Sequence, residues 1–298
     1  MPHTLAHIGA QALGTRVLLR GSDGVWILAA CVVPDLPWVL QRAVQPLGLF
    51  DPYALRFYAI AQATLLSCLV LCAALAALAR DPVRAFRVLA LGALLHLLLD
   101  ATQAKFGNGV HLLAPLSWEL LHLDWYYPED WPTLLLTLLG AVGFAWLWRE
   151  PPTRPFCWAR RRVAAAALLA GCWLLLPLAL RSGPEASDAH STTTLRDVAQ
   201  RPGRQVSFDR ARYVRQGEGH LLRSWAGEWI ALTGAPLGEA GLASVHGRFA
   251  DAHRVEVRVA REHAPGVRDA ASVVGLVAIG LYGLRAVRRD PPGESSAI

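Results

Sequence analysis

The stretch that decides the fold lies between residues 85 and 104 and reads AFRVLALGALLHLLLDATQA. It is mostly apolar and has the ~20 residues that a helix needs to cross a ~30 Å hydrocarbon core. Beyond Arg87 near its start, two ionisable residues interrupt it, His96 and Asp100, four positions apart. Ionisable groups inside such a run are costly in lipid, so they usually pair, bind an ion or line a wet cavity.

The rest of the chain repeats this pattern of long apolar runs and short charged ones. Of its 298 residues, 54% are hydrophobic and only 17% are charged, whereas soluble domains carry about 25% charge. We therefore predict a mainly α-helical, polytopic membrane protein with about seven spans. The predicted spans cover residues 4–20, Gly24–Gln41, Leu55–Ala79, Ala85–Ala104, Pro132–Trp148, Val163–Leu180 and Ala270–Leu284.

The basic residues predict the orientation. The net charge is +6, Lys105 is the only lysine, and arginines gather in the loops after the third, fifth and seventh predicted spans. Cytoplasmic loops carry such an excess, so these loops should be cytoplasmic and residues 105–131 should be outside. The basic residues form none of the motifs that are typical of nucleic-acid binding, so we predict no nucleic-acid partner. The N-terminus lacks the basic region of a signal peptide, so the first helix should be retained.

Residues 182–268 differ in character from the rest of the chain. They are polar, and alternation predicts strands at residues 205–208, 229–232 and 255–259, with glycines between them as turns. About five short strands fit a small closed barrel, of which the OB-fold is one kind. We predict three parts, namely a helical domain at 1–181, an extracytoplasmic β domain at 182–268, and a final helix with a cytoplasmic tail at 269–298.

Four polar residues in or beside the apolar runs are candidate metal ligands: His7, Asp35, His96 and Asp100. His96 and Asp100 share one helix face, one turn apart, and an imidazole and a carboxylate at that spacing can bind one divalent ion. A hydrogen-bonded His–Asp pair without metal is the alternative. Because helices rise 1.5 Å per residue, all four should lie in the outer half of the bilayer.

The outer segment supplies two candidate catalytic residues, Glu119 and His122. The sequence WELLH at residues 118–122 predicts a short amphipathic helix. Such a helix is either interfacial, with solvated charges, or a lid that contributes a ligand or a general base.

The N-terminal half resembles a bacterial family described as predicted membrane-bound metal-dependent hydrolases. The resemblance covers about residues 1–150 and depends on the order of short motifs. These are TLAHIG at residues 4–9, VPDLP at 33–37, HLLLD at 96–100 and GVHLLAP at 109–115. The resemblance implies that the two histidines and two aspartates above are metal ligands, and it implies a site in the bacterial inner membrane.

The chain also departs from the family's pattern. Pro37 stands where many members have a second aspartate, and residues 55–64 lack the histidines of a further family motif. One metal ion, or none, is therefore expected in place of two.

Two functions follow from the sequence. The first is a metal-dependent hydrolase, with Zn²⁺ or a similar ion, acting on a lipid or a lipid-linked phosphate ester at the outer face. The alternative is a non-enzymatic scaffold whose β domain binds an envelope protein. The chain has none of the motifs of zincins, α/β-hydrolases or P-loop ATPases.

Overall fold

The computed structural model describes residues 3–150, 156–264 and 266–288. The helices are α1 (Thr4–Leu18), α2 (Gly24–Ala30), α3 (Leu36–Val44), α4 (Pro52–Gln62), α5 (Leu65–Ala77), α6 (Pro82–Thr102), α7 (Trp131–Arg149), α8 (Arg160–Leu180), α9 (Ser182–Ala186), α10 (Thr192–Arg196) and α11 (Val267–Arg288). The strands are β1 (Gln205–Gln216), β2 (Gly219–Arg223), β3 (Trp229–Thr233), β4 (Ala240–Phe249) and β5 (Arg254–His263). Short 3₁₀ turns occupy Val33–Asp35, Gln45–Leu47, Ala189–Ser191 and Val198–Gln200.

Several helices can cross a membrane by their length and composition. Within the described ranges there are five such segments: Gly24–Leu47, Pro82–Thr102, Trp131–Arg149, Arg160–Ala186 and Arg268–Arg288. Each overlaps a span that the sequence predicts. The prediction of a helical membrane protein is therefore supported by the fold, although the count of seven spans stays a prediction.

The third predicted span is not one straight helix. It divides into α4 and α5, whose axes differ by 70°. Thr64 begins the second helix, because its hydroxyl accepts the Ser67 N–H and donates to the Ala61 carbonyl. A side chain that caps a new helix competes with continuation of the old one. The span predicted over residues 55–79 is therefore bent near Thr64, as a broken span or a re-entrant loop.

The first predicted span is a short buried helix. α1 has only 15 residues, fewer than a typical span, and it packs tightly on α7. A Cβ on Gly140 would overlap the Leu5 carbonyl, and a Cβ on Gly9 would overlap the Gly140 backbone. Small residues at a helix crossing allow this close approach, and they hold α1 against α7.

Pro34 and Pro37, on either side of Asp35, interrupt a helix. α2 ends at Ala30, a 3₁₀ turn covers Val33–Asp35, and α3 starts at Leu36. A proline has no N–H to donate and clashes with the preceding turn. The break places the Asp35 side chain at the junction of two helices, where it faces α6.

The β domain is a closed five-stranded barrel with strand order β1-β2-β3-β5-β4. All pairs are antiparallel except β3 and β5, which run parallel. The three predicted strands are confirmed. The strand-like character assigned to all of residues 182–268 was too broad, because residues 182–200 form short helical turns. Inside, the fully buried Arg201 makes two bonds to the Glu228 carboxylate, at 2.7 and 2.6 Å.

The barrel docks on one end of the helical bundle through charged contacts. Arg210 Nη1 lies 2.5 Å from Glu129 Oε1, and His263 Nδ1 lies 3.0 Å from the same oxygen. Arg261 binds Asp130 at 3.3 Å. Since Glu129 and Asp130 directly precede α7, the barrel covers the bundle end at which α7 begins.

The opposite end of the bundle is rich in arginine. Arg16 binds Glu150 at 2.5 Å, which ties the end of α1 to the end of α7. Arg84 donates to the Arg20 and Gly21 carbonyls at 3.2 and 2.6 Å. A cavity of about 410 Å³ lies there, but none of the four candidate metal ligands lines it.

Candidate metal centre

Three separate parts of the bundle bring the four candidate ligands together. His7 lies in the first half of α1, Asp35 lies at the break between α2 and α3, and His96 and Asp100 lie in the last two turns of α6. Because α1 and α7 begin at the barrel end and α6 ends there, the cluster is at the end that the barrel covers. The sequence placed His96 and Asp100 on one face; the other two are joined to them by packing of distant segments.

The distances between donor atoms are short and similar. His7 Nε2 lies 3.5 Å from Asp100 Oδ1, and His96 Nε2 lies 3.5 Å from Asp35 Oδ1. His96 Nε2 is 3.9 Å from Asp100 Oδ2. Ligand atoms of His7, His96 and Asp100 all lie within 4.8 Å of one another. Ligands about 2.0–2.1 Å from a tetrahedral zinc ion are about 3.3–3.4 Å apart, so the spacing suits such an ion.

The cluster is buried, and several of its polar atoms lack a hydrogen-bond partner. His7 and His96 are fully buried, and Asp100 is 6% exposed. Among the described residues, no hydrogen bond reaches His7 Nε2, His96 Nε2, Asp35 Oδ1 or Asp100 Oδ1. Leaving a buried polar atom unpaired costs about 1–3 kcal/mol. Ligand atoms of His7, His96 and Asp100 are mutually close and Asp35 Oδ1 adjoins His96, which fits the donor set of a cation site.

Two further contacts orient the histidines. The rings of His7 and His96 stack with an interplanar angle of 10°. The side chain of Gln11 lies 3.4 Å from His96 Nδ1, and its Oε1 has no partner among the described residues. The amide nitrogen Nε2 faces Nδ1, and a half-turn of the amide group would let Oε1 accept the Nδ1–H. Metal-binding histidines usually donate their second N–H in this way.

Lys105 is the residue of the cluster that the sequence did not predict. Its ammonium lies 3.6 Å from Asp100 Oδ1 and donates to the Asp100 carbonyl at 3.0 Å. It is only 7% exposed. A signal existed, because the only lysine of the chain follows Asp100 by five residues. Lys105 gives this carboxylate a permanent counter-charge.

Gln11 also went unpredicted, although a signal was present. It follows His7 by four residues, so both side chains share one face of α1. It is completely buried. A buried amide beside a histidine in an apolar helix is a feature that sequence inspection can find.

The structure does not bring Glu119 and His122 into the cluster. Both are exposed, and His122 pairs with Asp124 at 2.8 Å. The short helix predicted at residues 118–122 was wrong, because Leu121 pairs with Val110 through two backbone hydrogen bonds of 3.1 and 2.9 Å. A five-residue helix has little stability of its own, so this tertiary pairing prevails. The catalytic role of Glu119 and His122 remains an untested prediction.

A second buried network lies under the barrel. Ser244 Oγ is 2.8 Å from His263 Nε2 and 3.0 Å from Asp209 Oδ1, and His263 Nδ1 reaches Glu129. Serine, histidine and carboxylate are hydrogen-bonded in the order found in hydrolase triads. However, Ser244 is only 2% exposed, and its hydroxyl also bonds the carboxylate of Asp209. Burial lowers the pKa of His263, against the charge of Glu129. The network therefore joins the barrel to the outer segment.

Comparison of the chain with models of protein families, with curated proteins and with solved structures found no match. The resemblance to the membrane-bound hydrolase family therefore remains a hypothesis that rests on the short motifs. The geometry of the cluster is the observation from which a function can be argued.

Proposed function

We propose that this chain is a metal-dependent hydrolase of the bacterial inner membrane, with one divalent ion held by His7, Asp35, His96 and Asp100. The observation that carries the proposal is a buried cluster in which ligand atoms of His7, His96 and Asp100 lie within 4.8 Å of one another, with Asp35 Oδ1 3.5 Å from His96 Nε2. Two imidazoles and two carboxylates are a donor set that Zn²⁺ accepts. The set is neutral overall with the ion bound, which favours burial.

A divalent ion in this site would supply a Lewis acid and would lower the pKa of a coordinated water toward neutrality. The protein's own residues contribute positioning. Lys105 holds Asp100 through its side chain and its carbonyl, and Gln11 orients His96. The exclusion of water by the fully buried rings of His7 and His96 strengthens the local electrostatic interactions.

The substrate that we propose is a lipid or a lipid-linked phosphate ester at the outer face of the membrane. Two features support this choice. The cluster lies at the barrel end of the apolar helices, and the arginine-rich end of the bundle is the opposite one. Arginine-rich loops favour the cytoplasmic side, so the barrel end would face outward.

For the barrel we propose an OB-like, extracytoplasmic domain. The strand order β1-β2-β3-β5-β4 in a closed five-stranded barrel supports this assignment. An envelope protein is the partner we propose for its free surface.

A second candidate function is a non-enzymatic membrane scaffold. The observation that favours it is Lys105, whose ammonium lies 3.6 Å from Asp100 and neutralises that carboxylate without a metal ion. In this case the His–Asp contacts would be structural.

Elemental analysis of the full chain, purified in detergent under metal-replete conditions, tests the two candidates. The hydrolase requires a metal-to-protein ratio near one in the wild type and a loss in His96→Ala, with His122→Ala as the exposed control. A wild-type ratio near zero would overturn the metal site. If the rate of hydrolysis of a chromogenic phosphate ester rises and falls with the metal-to-protein ratio of the variants, the hydrolase activity is supported. If the protein binds metal but does not hydrolyse the ester, the metal-binding site stands and the enzyme is refuted.

A further inference from the structure

The Arg56 guanidinium is a partly buried cation that has only neutral acceptors. It lies between the rings of Trp38 and Trp225, at 4.7 and 5.1 Å from their centroids. Nη2 donates to His190 Nδ1 at 3.4 Å, and Nη1 approaches Gln41 Oε1 at 3.5 Å. Among the described residues, no carboxylate forms a salt bridge with it, so its charge is uncompensated at close range.

The same neighbourhood has a surplus of hydrogen-bond donors. Because the His190 Nδ1 accepts from Arg56, the neutral ring carries its proton on Nε2. That N–H, the Arg56 Nε–H and the Trp225 Nε1–H have no partner among the described residues. Each buried N–H without a partner costs about 1–3 kcal/mol. Because His190 turns Nδ1 to Arg56, its Nε2–H points away from the cation. The Arg56 Nε–H and the Trp225 Nε1–H are the spare donors beside the guanidinium, and they fit an anionic ligand with several acceptor oxygens.

His190 is held in place by its neighbours. It is 7% exposed and stacks on Trp38 on one side and on His111 on the other, at 5.7 and 5.5 Å. Burial, then the charge of Arg56, holds the pKa of His190 well below its usual range, so the ring is neutral.

The backbone at this point is strained. Asp188, His190 and Ser191 have φ values of 48°, 54° and 56°, which cost a non-glycine residue about 1–3 kcal/mol each. The surrounding structure must stabilise this conformation, and the conformation presents the His190 ring beside Arg56.

This donor cluster is close to the candidate metal centre. Trp38, which stacks on Arg56, follows Asp35 by three residues. Residues at that spacing on a helix have Cβ atoms about 5–6 Å apart. Asp35 in turn contacts His96. Arg56 is therefore connected to the candidate metal centre through Trp38 and Asp35.

We propose that Arg56 and Trp225 form a site for a phosphate group, with the guanidinium and the indole N–H as donors and with His190 holding the guanidinium in place. The assignment of this group to the substrate rests on the hydrolase function proposed above; the anion site itself does not. Guanidinium groups bind phosphate through paired, charge-assisted hydrogen bonds. The substrate class is then a phosphate ester, whether of a lipid or of a soluble molecule.

The test is the thermal stability of the detergent-purified full chain with and without inorganic phosphate. A ligand that binds only the folded state raises Tm, so on the order of 10 mM phosphate should stabilise the wild type measurably. Arg56→Gln should weaken phosphate binding at least about tenfold, because a charged bond is worth about 1.5–3 kcal/mol. Arg56→Lys keeps the charge and should retain part of the response.

Arg223→Gln is the matched control. Arg223 also lies over an indole, that of Trp229 at 5.9 Å, but it is exposed on the barrel. Its phosphate response should equal that of the wild type. The inference is overturned if phosphate leaves the wild-type Tm unchanged, or if Arg56→Gln and Arg56→Lys both respond as the wild type does. Should Arg56→Gln fail to fold, an unchanged response in Arg56→Lys is sufficient to overturn it.

A second arm separates the possible sources of the phosphate group. The same measurement in mixed micelles with phosphatidic acid, and with phosphatidylcholine alone, shows whether a lipid phosphomonoester binds more tightly than free phosphate. The metal-to-protein ratio of each sample is measured in parallel. If the metal-to-protein ratio is near one and Arg56→Gln leaves the phosphate-induced rise in Tm unchanged, the phosphate site is refuted and the metal centre stands. If the purified protein contains no metal but its phosphate-induced rise in Tm depends on Arg56, only the metal centre is refuted.

Discussion

The imidazole rings of His7 and His96 stack face to face, with their centroids 3.6 Å apart. Each ring has a carboxylate oxygen 3.5 Å from its Nε2 atom, that of Asp100 beside His7 and that of Asp35 beside His96. The stack therefore turns the Nε2 atoms of both rings toward the carboxylates of the candidate metal centre.

One substitution can distinguish the stacking role of His7 from its proposed role as a metal ligand. His7→Phe keeps a flat aromatic ring against His96 and removes both ring nitrogens. We expect it to lose most of the bound metal, because three ligands form a poorer cage than four, while Tm falls by only a few degrees. His122→Phe is the control, since that ring is exposed. Full metal content in His7→Phe would exclude His7 as a ligand.

Lys105 should compete with a metal ion for Asp100. Lys105→Met removes the ammonium 3.6 Å from the carboxylate and keeps an unbranched side chain of similar length. Breaking a buried pair costs about 3–5 kcal/mol, so the metal-free variant should be less stable than the wild type.

Added Zn²⁺ should restore that stability, and the variant's affinity for metal should rise at least about tenfold, because one competing positive charge is gone. Isothermal titration of the metal-free proteins measures this. Equal affinities in Lys105→Met and the wild type would show that the ammonium and the metal do not share Asp100.

The contact between Gly140 and Leu5 should position the first ligand. A side chain on Gly140 would overlap the Leu5 carbonyl, so Gly140→Leu must push α1 away from α7 and move His7 with it. We expect lower Tm and lower metal content together. Gly171→Leu on α8 is the matched control, because a Cβ there meets no atom within 4 Å. If both variants kept their metal, α1 would not need this close packing.

The docking of the barrel should weaken in acid. Burial lowers the pKa of His263 below its ordinary 6.5. At a pH between 6.5 and this lowered pKa, the undocked or unfolded chain therefore binds more protons than the docked one. Stability is then full above about pH 6.5 and is lost as the pH falls below it.

Glu129 also makes the docked barrel less stable as the pH falls, but over a lower pH range than His263. Burial alone would raise its pKa, but the bond from Arg210 and the charge of His263 lower it below the ordinary 4.5. Its contribution is present above pH 4.5 and is lost as the pH falls through the lowered value. Thermal melts from pH 8 to 4 should show a declining Tm, with a smaller decline between pH 6.5 and 5 in His263→Gln. His253→Gln, an exposed control on the barrel, should decline as the wild type does.

Topology is testable with enzyme fusions. The arginine-rich loops predict that the barrel is outside and that α11 ends in the cytoplasm. Alkaline phosphatase inserted in the β1–β2 turn at Gly217 should be active, and a fusion after Arg288 should be inactive. The reverse pattern would place the cluster on the cytoplasmic side and would remove the support for an outer-face substrate.

The sequence by itself determined the features that depend on local patterns. Apolar length predicts the membrane-spanning helices, four-residue spacing places His96 and Asp100 on one face, and alternation predicts the strands near Val206, Ile230 and Val257. The proline pair predicts the helix break at Asp35. Each of these is encoded within a few neighbouring residues, because helix and strand periods are short.

Tertiary structure decided what depends on distant segments meeting. The packing of α1 on α7 brings His7 to Asp100, and the return of the chain after α6 buries Lys105 against the same carboxylate. The pairing of Leu121 with Val110 replaces the helix that residues 118–122 predict. The meeting of Arg56 with His190, 134 positions later, has no local signal, because contact between distant residues is specified by the shape of the whole packed chain.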